Sequence, residues 1–251
     1  MIKKSAKAIV ISLVIFYSML LLAGCEDSKP KESVLTFAIS AEYPPFEYID
    51  KGETTGFDID LARLIGEKLG AKVVFENMAF STIFPMLESG QVDAAISTLS
   101  ASPERRKRFD FSEIYYKSDL ATIYKDTMPM KTVAGLEGKK VACQLGSTME
   151  QWLKAHVPSA NRVAMDHGNQ MIEALKAGHV DVVLIDEVQA VIFTQKNPGL
   201  SYAIVAPVDE GYAIAFKKGS THREPIDRTL KKLMHEGEIE RLKNKWLKGP
   251  A

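Results

Sequence analysis

The sequence predicts an α/β protein made of two similar lobes. From Val34 onward, apolar runs typical of strands alternate with amphipathic runs typical of helices, which favours mixed, mostly parallel sheets. Residues 86–96 and 174–184 repeat one order, in which a helix end precedes a glycine, a Val-Asp pair and a buried strand. Such junctions are common, so coincidence is the alternative to two equivalent lobe units. The length of 251 residues suits two small lobes or one large domain.

Apolar periodicity and capping signals locate the individual elements. Strands are expected over short apolar runs bounded by turn residues, namely 35–40, 73–76, 92–96, 120–125, 139–144, 162–165, 180–185, 202–206 and 211–216. Helices are expected after capping residues Gly56, Ser81, Ser102, Ser147, Asn169 and Asp186, and over 222–246 with an interruption at Gly237. Glycines 70, 90 and 178 are expected to end three of these helices.

The first 24 residues predict an export signal outside the fold. Three lysines precede an apolar run over 8–22, and small residues lead into Cys25. Residues 22–25, Leu-Ala-Gly-Cys, resemble the lipobox of bacterial lipoproteins, which implies cleavage before Cys25, acylation of that residue and a lipidated tether over 25–33. An uncleaved anchor helix is the alternative, although the apolar run is short for a membrane span. Either way, we expect an extracytoplasmic protein anchored to the cell membrane.

Composition argues against several other classes. The chain has 32 Lys and Arg against 32 Asp and Glu, so it lacks the basic excess of a nucleic-acid-binding protein. If Cys25 is lipidated, only Cys143 remains, and its apolar surroundings predict a core thiol without a disulfide. No HExxH, GxSxG, P-loop or CxxC pattern occurs, and the five histidines are scattered. We therefore predict no cofactor and no metal site.

Residues 92–106, VDAAISTLSASPERR, predict an anion site where a buried strand ends. Ser102 can cap the following helix with Pro103 at its first position, which brings Arg105 into the first turn. The hydroxyl-bearing residues of the preceding loop are Ser97, Thr98 and Ser100. Because a helix start leaves backbone amides unpaired and Arg presents a rigid donor fork, this segment suits a carboxylate. An ordinary strand–turn–helix with surface arginines is the alternative.

The repeated unit gives this anion site a partner of opposite charge. Asp186 follows the strand of the second unit, and ligands of open α/β sheets bind at strand ends. In a shared cleft, Arg105 would bind the carboxylate of an amino acid and Asp186 its ammonium group. Tyr43 and Phe80 each follow a strand-like run and would cover the ligand side chain. The alternatives are helix capping for Asp186 and core packing for the two aromatic residues.

Seven motifs in a fixed order resemble the extracytoplasmic amino-acid-binding proteins of ABC importers, solute-binding protein family 3, of the polar amino acid type. They are YPPFEY (43–48), GFDIDLA (56–62), SGQVDAAIS (89–97), SPERRKRFDFSEIYY (102–116), GKKVACQLGST (138–148), GHVDVVLID (178–186) and GYAIAFKKGS (211–220). The resemblance covers nearly the whole mature chain. It implies a type II periplasmic-binding-protein-like fold, with lobe 1 over 34–118 plus 210–251, lobe 2 over 119–209, and two hinge crossings near 117–122 and 206–211.

The same resemblance implies roles for individual residues. Arg105 would hold the ligand carboxylate with Ser100 and Thr148, and Asp186 would hold the amine. The side chain would lie between Tyr43 and Phe80, in a pocket lined by Ser97 and Thr98 and partly read by Gln144. The partners implied are a free amino acid and an ABC permease in the membrane. We expect a monomer that binds no nucleic acid.

Ligand identity is where this chain departs from the family pattern. Members that take basic amino acids often carry an acidic residue at the position of Ser40. Glu42, two residues along, would share the face of Ser40 on a continuing strand. Thr98 replaces a smaller residue found in glutamine-type members. We therefore predict a polar or basic amino acid of the arginine and lysine class.

Two rival functions remain open from the sequence. The fold also carries dehydratases that act on prephenate or arogenate, and Glu42 is a conceivable acid for that reaction. Asp186 argues for an ammonium-bearing ligand, which prephenate lacks and arogenate supplies. A sensor or adhesin lipoprotein that binds an amino acid without transport is the second rival.

Overall fold

The computed structural model describes residues 33–247. These residues form two five-stranded sheets and one three-stranded sheet, with helices packed around them. The predicted signal peptide, Cys25 and nearly all of the predicted tether lie outside the described residues. Residues 34–247 pack into one compact unit. Among residues 33–247, no helix combines the length and the apolar character needed to cross a bilayer.

The described strands are β1 (Ser33–Ile39), β2 (Glu42–Tyr43), β3 (Glu47–Asp50), β4 (Glu53–Thr55), β5 (Ala71–Asn77), β6 (Ala94–Ala95), β7 (Phe109–Phe111), β8 (Leu120–Lys125), β9 (Lys140–Gln144), β10 (Asn161–Met165), β11 (Val182–Asp186), β12 (Leu200–Ala206) and β13 (Ala215–Lys217). The α-helices are α1 (Phe57–Leu69), α2 (Ile83–Ser89), α3 (Pro103–Arg108), α4 (Thr148–His156), α5 (Gly168–Ala177), α6 (Glu187–Lys196), α7 (Arg223–His235) and α8 (Glu238–Trp246). Short 3-10 turns occupy Phe80–Thr82 and Val133–Leu136.

The first sheet has the strand order β5-β1-β6-β13-β7. Strand β1 runs parallel to β6, with Phe37 opposite Ala94, while β13 is antiparallel to both β6 and β7. Helices α1, α7 and α8 pack together beside it and bury their apolar faces, because residues such as Ile65, Leu230 and Leu242 recur at helical spacing. Strand β6 of this sheet leads through residues 96–102 into α3, the helix that carries Arg105.

The second sheet has the strand order β10-β9-β11-β8-β12. Strand β9 is parallel to β10 and β11, whereas β8 is antiparallel to β11 and β12. Helices α4, α5 and α6 contact this sheet. Strand β11 is buried along its whole length and ends at Asp186, so the anionic residue of the predicted site is held by the second sheet.

The chain passes from the first sheet to the second after β7 and returns after β12. The two linking segments lie side by side: the carboxylate of Asp119 accepts a hydrogen bond from the Val208 N–H at 3.2 Å, and the Tyr212 N–H donates to the Tyr116 carbonyl at 2.8 Å. The predicted α/β class with mixed sheets is confirmed, and the two crossings connect the two sheets.

The three-stranded sheet β2-β3-β4 holds the turn that leads from Tyr43 to Glu47. Phe46 is fully buried at the tip, with its ring centroid 5.6 Å from those of Phe57 and Tyr212. Gly56 is required beside it, because φ is 129° and a Cβ there would lie 2.1 Å from the Phe46 carbonyl oxygen. This close contact fixes the start of α1 against the turn.

Several element boundaries differ from the predictions. Ser81 does not cap α2, because a 3-10 turn precedes that helix and the Ser81 hydroxyl instead donates to Asp166 at 3.3 Å. Helix α5 begins at Gly168 with His167 at its N-cap, so Asn169 already lies inside the helix. Strands β6 and β13 are shorter than the apolar runs that contain them. By contrast, the three glycine stops, the Ser102 and Ser147 caps and the helix that follows Asp186 are confirmed.

Candidate functional site

Arg105 is the buried cation of the site, with only 6% of its surface exposed. Ser102 caps α3 by accepting the Arg105 N–H at 3.3 Å, which holds the residue in the first turn. The guanidinium donates to the carbonyls of Ser100 at 3.0 Å and Gly146 at 3.1 Å, and lies 4.6 Å above the ring of Phe84. These carbonyl contacts engage only two of the five donors of the fork, which leaves donors for an anionic ligand.

Asp186 is the buried anion of the site, at the end of β11. It occupies the N-cap position of α6, but its carboxylate makes no capping hydrogen bond. The carboxylate instead accepts the hydroxyl of Tyr43 at 2.8 Å. Burial raises the pKa of Asp186 to about 6, against the opposing influence of the Tyr43 hydrogen bond, the Tyr212 hydroxyl and the positive charge of Arg105. Asp186 is therefore mainly ionised at neutral pH.

The two charges line one small pocket, which we name the charged pocket. Its lining residues are Tyr43, Phe80, Thr98, Ser100, Arg105, Gln144, Ser147, Thr148, Met149 and Asp186. Burial lowers the pKa of Arg105 to about 10, with Asp186 acting in the opposite direction, so the guanidinium stays protonated at neutral pH. A fixed cation and a fixed anion thus face the same cavity from the two sheets.

A second small pocket, which we name the inner pocket, adjoins the charged pocket. It is lined by Ser40, Glu42, Tyr43, Glu47, Phe80, Thr98, Gln144 and Gly168. Four residues line both pockets, namely Tyr43, Phe80, Thr98 and Gln144. A ligand whose charged groups lay in the charged pocket would therefore extend its side chain into the inner pocket.

Ser97 does not line either pocket. Its hydroxyl donates to Glu47 at 2.8 Å and accepts the Ser40 N–H at 3.0 Å, and the residue is fully buried. Ser40 and Glu42 both line the inner pocket, although β1 ends before Ser40 and β2 begins at Glu42. Strand β1 therefore does not continue to Glu42, and the two residues reach the inner pocket from separate segments. Glu42 contacts His167, the N-cap residue of α5.

Sequence reasoning missed a pair of buried carboxyl groups, Glu47 and Asp58. They are 1% and 0% exposed, and Glu47 lines the inner pocket. Asp58 accepts the Thr98 N–H and the Tyr115 hydroxyl, both at 2.9 Å. Burial raises the pKa of Asp58 to about 7, and burial together with the charge of Asp58 raises that of Glu47 well above its usual range. The sequence signal was an acidic residue directly beside Phe46 and Phe57 in two of the motifs.

Thr98 connects the acidic pair to the pockets. Its φ of 47° lies in the left-handed region, which a β-branched residue rarely adopts. The Asp58 carboxylate holds this conformation by accepting the Thr98 N–H, and the Thr98 hydroxyl lies 3.5 Å from Glu47. Strained backbone of this kind is typical of functional sites.

Contacts join the two sides of the site across the pockets. Besides the Tyr43–Asp186 bond, the Thr148 hydroxyl lies 3.4 Å from that of Ser100, and the Gln189 side chain donates to the Pro44 carbonyl. Among residues 33–247, no group of three or more His, Cys, Asp or Glu side chains is arranged to hold a metal ion. Two α/β lobes that enclose a pocket with one buried cation and one buried anion define a receptor for small zwitterionic molecules.

The chain belongs to the bacterial extracellular solute-binding proteins, family 3, whose family profile matches residues 35–249. It is 32% identical to the arginine-binding extracellular protein ArtP of Bacillus subtilis (strain 168) over 232 residues, which is 90% of each chain. Its fold is the two-lobe type II fold of the periplasmic binding proteins among its structural neighbours.

Two solved structures bear on the ligand and on the dehydratase alternative. An ancestral arginine-binding protein bound to arginine is 35% identical, with a TM-score of 0.82 over 86% of this chain and 98% of that one. The ancestral amino-acid-binding protein AncCDT-1, described as a precursor of cyclohexadienyl dehydratase, is 30% identical, with a TM-score of 0.79 over 86% and 96% of the two chains.

Proposed function

We propose that this protein captures a free polar or basic amino acid, with arginine the best candidate, and delivers it to an ABC permease. The relative ArtP is described as an arginine-binding protein. Structures of the ancestral arginine-binding protein contain arginine in one case and glutamine in another. Family membership supports amino-acid transport as the general role. The choice of a basic or polar ligand is argued from the geometry of the two pockets.

The buried pair of Arg105 and Asp186 carries the proposal. An α-amino acid bears a carboxylate and an ammonium group on one carbon atom, so its receptor needs unlike charges facing one small cavity. The charged pocket provides both charges, and both are nine-tenths or more buried. A carboxylate would take the unused donors of Arg105, with the hydroxyls of Ser100 and Thr148 beside it. The ammonium would take the Asp186 carboxylate.

The inner pocket favours a ligand with a cationic or polar end. Glu42 and Glu47 both line it, and none of the ion pairs described within residues 33–247 brings a cation to Glu47. Tyr43 and Phe80 line both pockets, where their rings would cover an aliphatic stem. Ser40 and Gln144 add polar groups along the same path.

The remaining parts of the proposal concern lobes and location. We propose lobe boundaries at 34–118 plus 210–251 and 119–209, with hinge motion in the two crossings. Opening would separate Tyr43 and Ser100 from Asp186 and Thr148, which contact one another in the described structure. We further propose a monomer without enzymatic activity, held at the outer side of the cell membrane by acyl chains on Cys25 after removal of residues 1–24.

Isothermal titration calorimetry tests the proposed ligand class. The purified protein is titrated with the standard amino acids, ornithine and cystine, and we expect tight binding of arginine or another basic or polar member. If no amino acid binds and the protein turns over prephenate or arogenate, the receptor function is contradicted. The dehydratase alternative, to which AncCDT-1 is described as a precursor, would then hold. Uptake of labelled arginine by cells with and without the gene then separates transport from sensing or adhesion.

A further inference from the structure

The carboxyl groups of Glu47 and Asp58 form a buried acidic pair beside the inner pocket. One Glu47 oxygen accepts the Ser97 hydroxyl at 2.8 Å, and one Asp58 oxygen accepts two donors, from Thr98 and Tyr115. Within residues 33–247, no described hydrogen bond or ion pair joins a Lys, Arg or His side chain to either carboxyl. Two negative charges in a dry site with no compensating cation are strongly disfavoured.

The other oxygen of each group, Glu47 Oε2 and Asp58 Oδ1, is buried and without a hydrogen-bond partner when both groups are ionised. Thr98 contacts both groups, because its N–H donates to Asp58 at 2.9 Å and its hydroxyl lies 3.5 Å from Glu47, and the charge of Asp58 acts on Glu47. A single proton held between these oxygens would remove one charge and satisfy both atoms at once. Paired carboxyl groups elsewhere in proteins share a proton for the same reason.

We infer that this acidic pair is a proton-binding subsite of the inner pocket, and that the cationic end of a ligand takes the place of the proton. The inference rests on the proposed function and deepens it, because it names the ligand class that the subsite selects. A guanidinium or ammonium group that donates to Glu47 supplies the missing positive charge, and the proton leaves to solvent. A neutral end group, such as a urea or an amide, has no charge to exchange and leaves the proton in place.

The position of the pair supports this exchange. Glu47 lines the inner pocket, which adjoins the charged pocket through four shared residues. A ligand held by Arg105 and Asp186 therefore directs its side chain toward Glu47. Asp58 lies behind Glu47 and lines neither pocket, so the ligand meets one carboxyl and the proton is shared with the other.

Other titratable groups near the pockets must be separated from the pair. Tyr43 and Tyr115 face it, and burial raises the pKa of both hydroxyls well above 10, so they stay protonated near neutral pH. Asp186 binds the α-ammonium group, which all amino acid ligands share. Its contribution to proton release is therefore the same for each ligand. Glu42 lines the inner pocket and contacts His167, and both residues are present for either ligand. A comparison of two ligands that differ only in end-group charge cancels these contributions.

Calorimetry with arginine and citrulline provides this comparison, because citrulline replaces the guanidinium by a neutral urea of the same shape. Titrations at pH 7 in buffers of different ionisation enthalpy count the protons released per ligand bound. We expect release of up to about one proton more for arginine than for citrulline. We also expect the preference for arginine over citrulline to increase with pH between 5.5 and 7, by up to about tenfold per pH unit.

Variants locate the proton on the pair. Glu47→Gln should abolish the difference in proton release, whereas Glu53→Gln, an exposed carboxylate of the same small sheet, should preserve it. If Glu47→Gln does not fold, or citrulline does not bind, the inference is tested by the number of protons that the wild-type protein releases when it binds arginine. Arginine binding without proton release would overturn the inference while leaving the proposed function intact. Absence of binding by any amino acid would overturn both.

Discussion

Replacing Arg105 by alanine is the sharpest perturbation of the site. The side chain is 6% exposed, lies over Phe84 and reaches the carbonyls of Ser100 and Gly146. A ligand carboxylate bound to it would therefore be a desolvated, charge-assisted contact with up to two N–H donors. Losing one partner of such a contact costs about 2 to 5 kcal/mol of binding free energy.

Two features of the structure place the expected loss in the upper part of that range. The truncation leaves the ligand carboxylate in a buried pocket with hydroxyls but no charge. It also removes the cation that lowers the pKa of Asp186, so that pKa should rise above about 6 and part of the ammonium site should become neutral at pH 7. We therefore expect arginine to bind about 400-fold to about 5,000-fold more weakly, which corresponds to the upper half of that range.

Calorimetry at pH 7 and pH 8.5, supported by thermal unfolding to confirm a folded variant, measures this effect. Part of the loss should be recovered at pH 8.5, where Asp186 ionises again. Arg108→Ala is the matched control, because Arg108 lies on the same helix but is exposed, pairs with Glu88 and lines neither pocket. Its affinity should stay within a few-fold of the wild type. A folded Arg105→Ala variant with unchanged affinity would show that Arg105 is structural, and the zwitterion site would be refuted.

Three further predictions concern the pH dependence of ligand affinity, the backbone at Gly56 and the reactivity of the Cys143 thiol. Affinity for any amino acid should fall as the pH drops through about 6, because Asp186, with its raised pKa, is then protonated and no longer offers a charge to the ammonium group. Asp186→Asn should bind weakly at all pH values. A wild-type affinity that stays unchanged down to pH 5 would contradict this role of Asp186. Gly56→Ala should destabilise the fold in urea denaturation much more than Gly52→Ala, since both have positive φ but only at Gly56 does a Cβ meet the Phe46 carbonyl; equal losses would argue against the contact. Burial raises the pKa of Cys143 to about 12, so alkylation at pH 8, followed by mass spectrometry of the Cys143 peptide, should be slow until urea unfolds the protein.

Local signals in the sequence were enough to predict most of the fold. Ser102 and Ser147 accept the N–H three residues on, as their positions before a helix indicated, and Gly70 adopts the left-handed conformation that ends α1. Where local signals compete with packing, the predictions were wrong. Ser81 has the composition of a cap, but its hydroxyl donates across the site to Asp166.

The site was only partly predictable, because it depends on which segments the fold brings together. Arg105 and Asp186 line one pocket, as the repeat of helix, glycine and strand indicated. Glu47 and Asp58 belong to separate elements, and their proximity results from the Phe46 turn packing on the start of α1. No periodicity or cap reports such a contact. A pair of acidic residues beside buried aromatic residues is the signal that would have found it.

A crystal structure of the protein with arginine tests the central claim most directly. The account predicts the ligand carboxylate on the Arg105 guanidinium, the ammonium on Asp186 and the ligand guanidinium in the inner pocket at Glu47. An arginine bound with its carboxylate away from Arg105, or with its guanidinium on Asp186, would contradict it.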